Sequence, residues 1–228
     1  MLGECGVKIC GTTTLHDARL AAECGADYFG VVIEVGFSPR SLTVEQALPL
    51  FVNAPVTGVA LVYQMPLERL HQLITTLHPP VVQFLHLEEL DVIGALKKQY
   101  PDLELWQSIH LPEVGKEVDF DGFQATVQAY ADAGIDLLIF DTVAVLQGVT
   151  KFGGTGMVSD WQVVRKLIDQ TATQVPIWLA GGIDPDNVAE AVKAVQPAGV
   201  DLCSGVESEP GRKDPDKVRL LIERAKTA

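Results

Sequence analysis

The sequence has no apolar run approaching the roughly 18 to 20 residues that a membrane span needs. Its first residues also lack the basic stretch and apolar run of a signal peptide. Both absences predict a cytoplasmic protein with no membrane partner. Basic residues are scarce: 17 Lys and Arg stand against 30 Asp and Glu, for a formal charge of -13. No Lys/Arg stripe offers a surface to a phosphate backbone, which excludes nucleic acid as the expected partner. The same charge repels small anions at long range, so an anion site would have to rely on local donors. Cysteine is sparse as well. Cys5, Cys10, Cys24 and Cys203 show neither metal-ligand spacing nor the density of a disulfide framework, which fits thiols kept reduced.

A chain of 228 residues that is 47% hydrophobic and 21% charged can fill a sizeable core. Short β-branched runs alternate with longer amphipathic stretches from end to end. Strands are expected at Val7–Cys10, Tyr28–Ile33, Thr57–Val62, Val81–Leu85, Glu104–Ile109, Leu137–Phe140, Ile177–Ala180 and Val200–Cys203. Helices are expected at Leu15–Cys24, Val44–Phe51, Leu67–Leu77, Glu89–Gln99, Phe123–Ala133, Asp160–Gln170, Pro185–Val195 and Pro215–Lys226. Thr14 with Asp17, and Thr43 with Gln46, have capping-box spacing. Asp184-Pro185 and Asp214-Pro215 each set a capping carboxylate before a proline at the first helical position. Gly25 and Gly134 stand just past helix ends.

Eight strand–helix units with near-continuous apolar strands imply a parallel sheet covered by helices. With no break in composition, the α/β class resolves to one (β/α)8 TIM barrel domain over residues 1–228. An open dinucleotide-binding sheet would want Gly-x-Gly-x-x-Gly after its first strand, and Gly11-Thr12-Thr13-Thr14 does not supply it.

Barrel enzymes place their chemistry at the carboxyl ends of the strands. Cys10 ends the first strand, Arg40 follows the second, His86 the fourth and Asp141 the sixth. Ala180-Gly181-Gly182 and Ser204-Gly205-Val206-Glu207 end the last two, where backbone amides of such barrels often bind phosphate. Taken singly, each residue has a plain reading too. Cys10 can be a small buried hydrophobe, Asp141 a helix cap, Arg40 a solvated loop residue, and His86 a packed histidine with a wet tip.

Taken in order, the motifs resemble the phosphoribosylanthranilate isomerase family. The matching segments are Lys8-Ile9-Cys10-Gly11, Gly25-Ala26-Asp27, Ser38-Pro39-Arg40, Val81-Val82-Gln83 and Asp141. They continue through Gly153-Gly154-Thr155-Gly156, Asp160-Trp161, Ala180-Gly181-Gly182 and Asn187-Val188. The series closes with Ser204-Gly205-Val206-Glu207, Pro210-Gly211 and Lys213-Asp214. The resemblance implies an Amadori rearrangement in tryptophan biosynthesis, N-(5-phosphoribosyl)anthranilate becoming the open-chain 1-deoxyribulose 5-phosphate. It implies Cys10 as general base and Asp141 as general acid, with Arg40 on the anthranilate carboxylate. Lys8, Gln83 and His86 become substrate-binding candidates, and Gly181, Gly182, Ser204, Gly205 and Val206 the phosphate site. Such chemistry requires no metal or organic cofactor. It does require a partly ionised Cys10, an Asp141 with a raised pKa, and room for substrate beside the thiol at Gly11. The partner implied is a small phosphorylated substrate, with the chain acting as a monomer or homodimer.

Three features depart from the family pattern. Gln83-Phe84-Leu85-His86-Leu87 has an extra residue and lacks a glycine, Thr142–Phe152 is a longer connection, and Met157 and Val158 replace a common basic and aromatic residue. Two alternatives therefore stand beside the family's reaction: a sugar-phosphate isomerase with another aminoaldose substrate, and a non-catalytic barrel that binds a phosphorylated metabolite.

Overall fold

The structure, a computed structural model, describes residues 4–111, 118–146, 149–152, 160–171 and 175–228, with the backbone alone at 142–146 and 149–152. Parallel strands β1 (Gly6–Ile9), β2 (Tyr28–Val32), β3 (Thr57–Val62), β4 (Val81–Phe84), β5 (Glu104–Leu111) and β6 (Leu137–Leu146) follow the expected order. β7 (Val149–Phe152) pairs antiparallel with the far end of β6. β8 (Ile177–Ala180) and β9 (Gly199–Leu202) complete the sheet. The strands run β5-β4-β3-β2-β1-β9-β8-β6, and the β5–β6 pairing closes them into an eight-stranded parallel barrel. Around it lie α1 (Leu15–Glu23), α2 (Val44–Val52), α3 (Leu67–Leu77), α4 (Leu90–Gln99), α5 (Phe120–Ala133), α6 (Trp161–Gln170), α7 (Val188–Val195) and α8 (Pro215–Lys226). None of these helices is long and apolar enough to cross a membrane. The (β/α)8 architecture is thus the one expected.

Local signals explain most boundaries. Thr43 and Gln46 form the complete box, each side chain accepting from the other's amide at 3.2 and 2.9 Å. Thr14 caps α1, but the Asp17 carboxylate does not reach back; it accepts from the Lys213 amide at 3.4 Å instead. Gly25 and Gly134 adopt φ of +94° and +102°, and the next amides bond back to Ala21 and Tyr130. Asp214 caps α8 with Pro215 inside its first turn.

Four expectations are corrected. The Asp184 carboxylate accepts from Asp186 and Asn187, but this closes a turn, and regular α7 begins only at Val188. α5 starts at Phe120, because Asp119 supplies the cap. The connection after Asp141 is not a plain loop: β6 continues to Leu146 and returns as β7, with Val143 opposite Phe152. After β9 come a 3-10 turn (Ser204–Val206) and a hairpin of β10 (Glu207–Glu209) and β11 (Arg212–Lys213) that periodicity did not show. Gly153-Gly154-Thr155-Gly156, Met157 and Val158 lie outside the described residues.

The strand pleat sorts side chains between two cores. One cluster, including Val7, Ile9, Val31, Ala60 and Val82, packs outward against the helices. The other fills the barrel: Val59, Leu61, Val81, Trp106, Ile139 and Trp178. Near the amino ends, Tyr28, Trp106 and Trp178 form an aromatic plug with ring centroids 4.8 to 5.7 Å apart. Gly199 makes room for it, since a Cβ there would stand 2.3 Å from the Trp178 ring. Gly199→Ala should therefore lower the unfolding free energy by about 1–3 kcal/mol through overpacking. Denaturant titration followed by tryptophan fluorescence checks this, and an unchanged midpoint would mean that the indole moves aside without cost.

Candidate active site

Period-two alternation carries the inward-facing tiers upward to the carboxyl end of the barrel. Lys8 and Cys10 lie on and just after β1, Asp201 and Cys203 on and just after β9, Gln83 on β4, Ser108 and His110 on β5, and Asp141 on β6. β1 and β9 are adjacent parallel strands with Lys8 opposite Asp201 and Ile9 opposite Leu202. The Cys10 amide extends this ladder to the Leu202 carbonyl at 2.7 Å. Asp141 faces the same mouth three strands away through β9 and β8, with its Cα registered against His110.

Directly beneath Cys10, Lys8 Nζ donates to Asp201 Oδ1 at 2.8 Å, with the lysine fully enclosed. Gly30 leaves the space for its side chain: a Cβ there would touch Lys8 Cε at 3.0 Å. Burial works against the ammonium, but Asp201 and the Cys10 sulfur outweigh it and raise its pKa. For Cys10, a hydrogen bond from Cys203 lowers the pKa most. Burial opposes it, and the Lys8 and Lys213 charges assist, bringing the thiol to about 7. Cys203 is pushed well above the ordinary thiol range by that same hydrogen bond and by burial.

A second charge cluster lies behind Gly11. Burial pushes the Glu207 carboxyl up, yet its contacts with Arg40 and Lys213 win and hold it below the usual carboxylate range. Arg40 donates through Nε at 2.8 Å and Nη2 at 2.5 Å, Lys213 Nζ at 3.0 Å and the Gly211 amide at 3.1 Å. Lys213 also donates to the Cys10 carbonyl at 2.5 Å. The β10–β11 hairpin makes this possible by setting Glu207 opposite Lys213. Only one edge of the Arg40 guanidinium is spent on Glu207; among the described residues Nη1 has no protein acceptor.

Several candidate positions are more enclosed than their place near strand ends suggested. Lys8, a substrate-binding candidate, is fully buried beneath the thiol in its ion pair with Asp201. Gln83 is also enclosed, 2% exposed, with Nε2 donating to Ser108 Oγ at 3.1 Å. At Gly11 a Cβ would meet Arg40 Cδ at 2.6 Å and Cys203 Sγ at 2.7 Å, so the glycine makes way for these two side chains. His86 does stand at the rim, its Nδ1 donating to the Leu87 carbonyl at 2.8 Å. There it joins a row of edge-to-face rings with Tyr63 and Phe37, at 5.5 and 5.0 Å. Gly181 and Gly182, at φ of +89° and +66°, stand beside the Ser204–Val206 turn, where a Cβ on Gly205 would be 2.2 Å from the Ile183 carbonyl.

A family described as "N-(5'phosphoribosyl)anthranilate (PRA) isomerase" matches residues 7–224. The chain belongs to this isomerase family. One relative, the N-(5'-phosphoribosyl)anthranilate isomerase of Methanocella arvoryzae, is 34% identical over 96% of this chain and 97% of its own. That of Xylella fastidiosa is 36% identical over 97% and 92%. The phosphoribosylanthranilate isomerase structure from Thermotoga maritima superposes with a TM-score of 0.78 at 26% identity, covering 98% of this chain and all of that one. The protein is accordingly a phosphoribosylanthranilate isomerase of tryptophan biosynthesis, an enzyme that turns an aldose into a ketose.

Sequence reasoning passed over Asp201, Cys203, Lys213, Tyr63 and His110. The signal for the first two was present, since Asp201 and Cys203 share the period of Lys8 and Cys10, but seeing them as partners requires the first and last barrel strands to meet. His110 donates through Nε2 to the Leu85 carbonyl at 2.9 Å, and burial lowers its pKa. The Glu207 cluster also fixes a pH dependence. A carboxylate held low stabilises the fold above its unfolded pKa, and that contribution is lost as pH falls through the folded value. Glu207→Gln should cost about 3 kcal/mol at pH 7, by leaving two buried cations uncompensated, and distinctly less at pH 3. Denaturant titration at both pH values measures the difference; an equal cost at each would assign it to packing.

Proposed function

We propose that Cys10 and Asp141 carry the two proton transfers of the reaction, Cys10 as base and Asp141 as acid. Arg40 takes the anthranilate carboxylate, and the Gly181–Gly182 and Ser204–Val206 loops take the phosphate. The observation that carries this reading is a buried thiol at the end of one strand, flanked by the Lys8 and Lys213 charges that favour its ionisation, sharing a mouth with a carboxyl group from another. Asp141 protonates the ring oxygen as the furanose C–O bond breaks, giving an open-chain Schiff base. That iminium acidifies the C2 proton, which the Cys10 thiolate removes to leave the enolamine, and this tautomerises to the ketose. Arg40 suits the carboxylate because Glu207 already orients its fork, leaving the free edge for a second bidentate pair. The Phe37–Tyr63–His86 row offers apolar faces to the anthranilate ring.

A thiolate base needs a reducing compartment, and all four cysteines are free, which supports the cytoplasm. The Thermotoga maritima relative is described as dimeric and also as monomers, which supports a single barrel working as monomer or homodimer.

Turnover of freshly generated phosphoribosylanthranilate, followed by its fluorescence, tests these assignments. Cys10→Ala and Asp141→Asn should each lower kcat by about 10²–10⁴-fold; near-native turnover in either removes that residue from its role. Because the base works ionised, wild-type kcat/KM should fall about tenfold per pH unit below about 7. A flat profile down to pH 5 would exclude a thiolate base. Arg40→Ala should raise KM more than it lowers kcat, and an unchanged KM would place the carboxylate elsewhere.

A further inference from the structure

The mouth holds a second thiol that the proton transfers do not use. Ile9 is registered against Leu202 and the Cys10 amide bonds to the Leu202 carbonyl, so Cys10 and Cys203 are the next residues of the same parallel pair. Neighbouring strands are about 4.8 Å apart. Cys203 Sγ lies 2.7 Å from where a Cβ on Gly11, the residue after Cys10, would stand, and Cys203 packs against the inner cluster that contains Cys10. We propose that Cys203 is a positioning residue for the Cys10 base, donating its thiol proton to the Cys10 sulfur and holding that sulfur ionised.

Besides the Cys10 sulfur proposed as acceptor, one other group competes for the Cys203 proton. Glu207 Oε1 is 3.9 Å from Cys203 Sγ, but that carboxylate already accepts from Arg40, Lys213 and the Gly211 amide. A neutral Cys10 competes poorly for the proton, while a Cys10 thiolate competes well because a charged acceptor forms the stronger bond. The donor therefore favours the ionised form of Cys10 over the neutral one, which is the condition for lowering a pKa. Cys203 itself stays protonated, its ionisation opposed by burial and by the neighbouring Cys10.

The other groups around Cys10 set a fixed background. Lys8 and Asp201 lie below, Lys213 and Glu207 come from the hairpin side, Arg40 from the loop after β2, and β2 itself adds the apolar Val32. The two lysines favour the thiolate and Asp201 opposes it, so among the described residues Cys203 is the neutral neighbour that favours ionisation.

This inference builds on the reading of Cys10 as base, and its test separates the two. The Cys10 thiolate is titrated by its ultraviolet absorbance, as the difference from Cys10→Ser in each background, for wild type, Cys203→Ala and Cys203→Ser. Cys203→Ala should move the midpoint up by about one pH unit, leaving about tenfold less thiolate on the acidic side. Cys203→Ser restores a donor of similar size and should return most of the shift. An unchanged midpoint in Cys203→Ala, with the fold intact by circular dichroism, overturns the proposal. A midpoint that moves while the kcat/KM pH profile stays put supports the thiol pairing and instead overturns Cys10 as the base.

Discussion

The Lys8–Asp201 ion pair lies on the seam where the first and last strands of the barrel meet, and the organisation of the mouth follows from it. A lysine with no solvent contact is costly unless a counter-charge and hydrogen bonds replace water. Asp201, from the neighbouring strand, supplies both, and Gly30 supplies the space. The pair therefore ties the register of β1 to that of β9. It also leaves a positive charge beneath Cys10, the thiol proposed as the base.

Glu207 organises the other side of the mouth by the same logic. One buried carboxylate holds Arg40 and Lys213, from segments more than 170 residues apart in sequence. Arg40 is thereby held in a fixed orientation, which would reduce the ordering cost of the carboxylate contact proposed for it. The molecule as a whole is strongly acidic, yet Lys8, Arg40 and Lys213 gather around one thiol. For an anionic substrate the arrangement of these cations matters more than the net charge.

The barrel was legible because each of its strands carries a near-continuous apolar run and each helix an amphipathic one, bounded by caps such as Thr43–Gln46 and Asp214-Pro215. The β6–β7 hairpin was missed although Val143-Ala144-Val145-Leu146 and Val149-Thr150-Lys151-Phe152 flank a two-residue break. A β-rich stretch after a strand reads as a loop when the expected next element is a helix. β10 and β11 are too short and too polar for any period to register, yet they place Glu207 and Lys213.

The sequence alone determined the architecture, the boundaries of most elements, the end of the barrel at which Cys10, Arg40 and Asp141 emerge, and the family. All but the family follow from local chemistry: hydrophobic period, capping, and residue types at strand ends; the family follows from the resemblance of the motifs taken in order. Only the tertiary structure decided that Lys8 and Gln83 are enclosed, that Gly11 makes way for Arg40 and Cys203, and that Cys10 has a second thiol as neighbour. Each of those depends on which strand lies beside which when the barrel closes. Contacts between residues nearly 200 positions apart, such as Lys8 with Asp201, leave no trace in local pattern because nothing in either segment alone names the other.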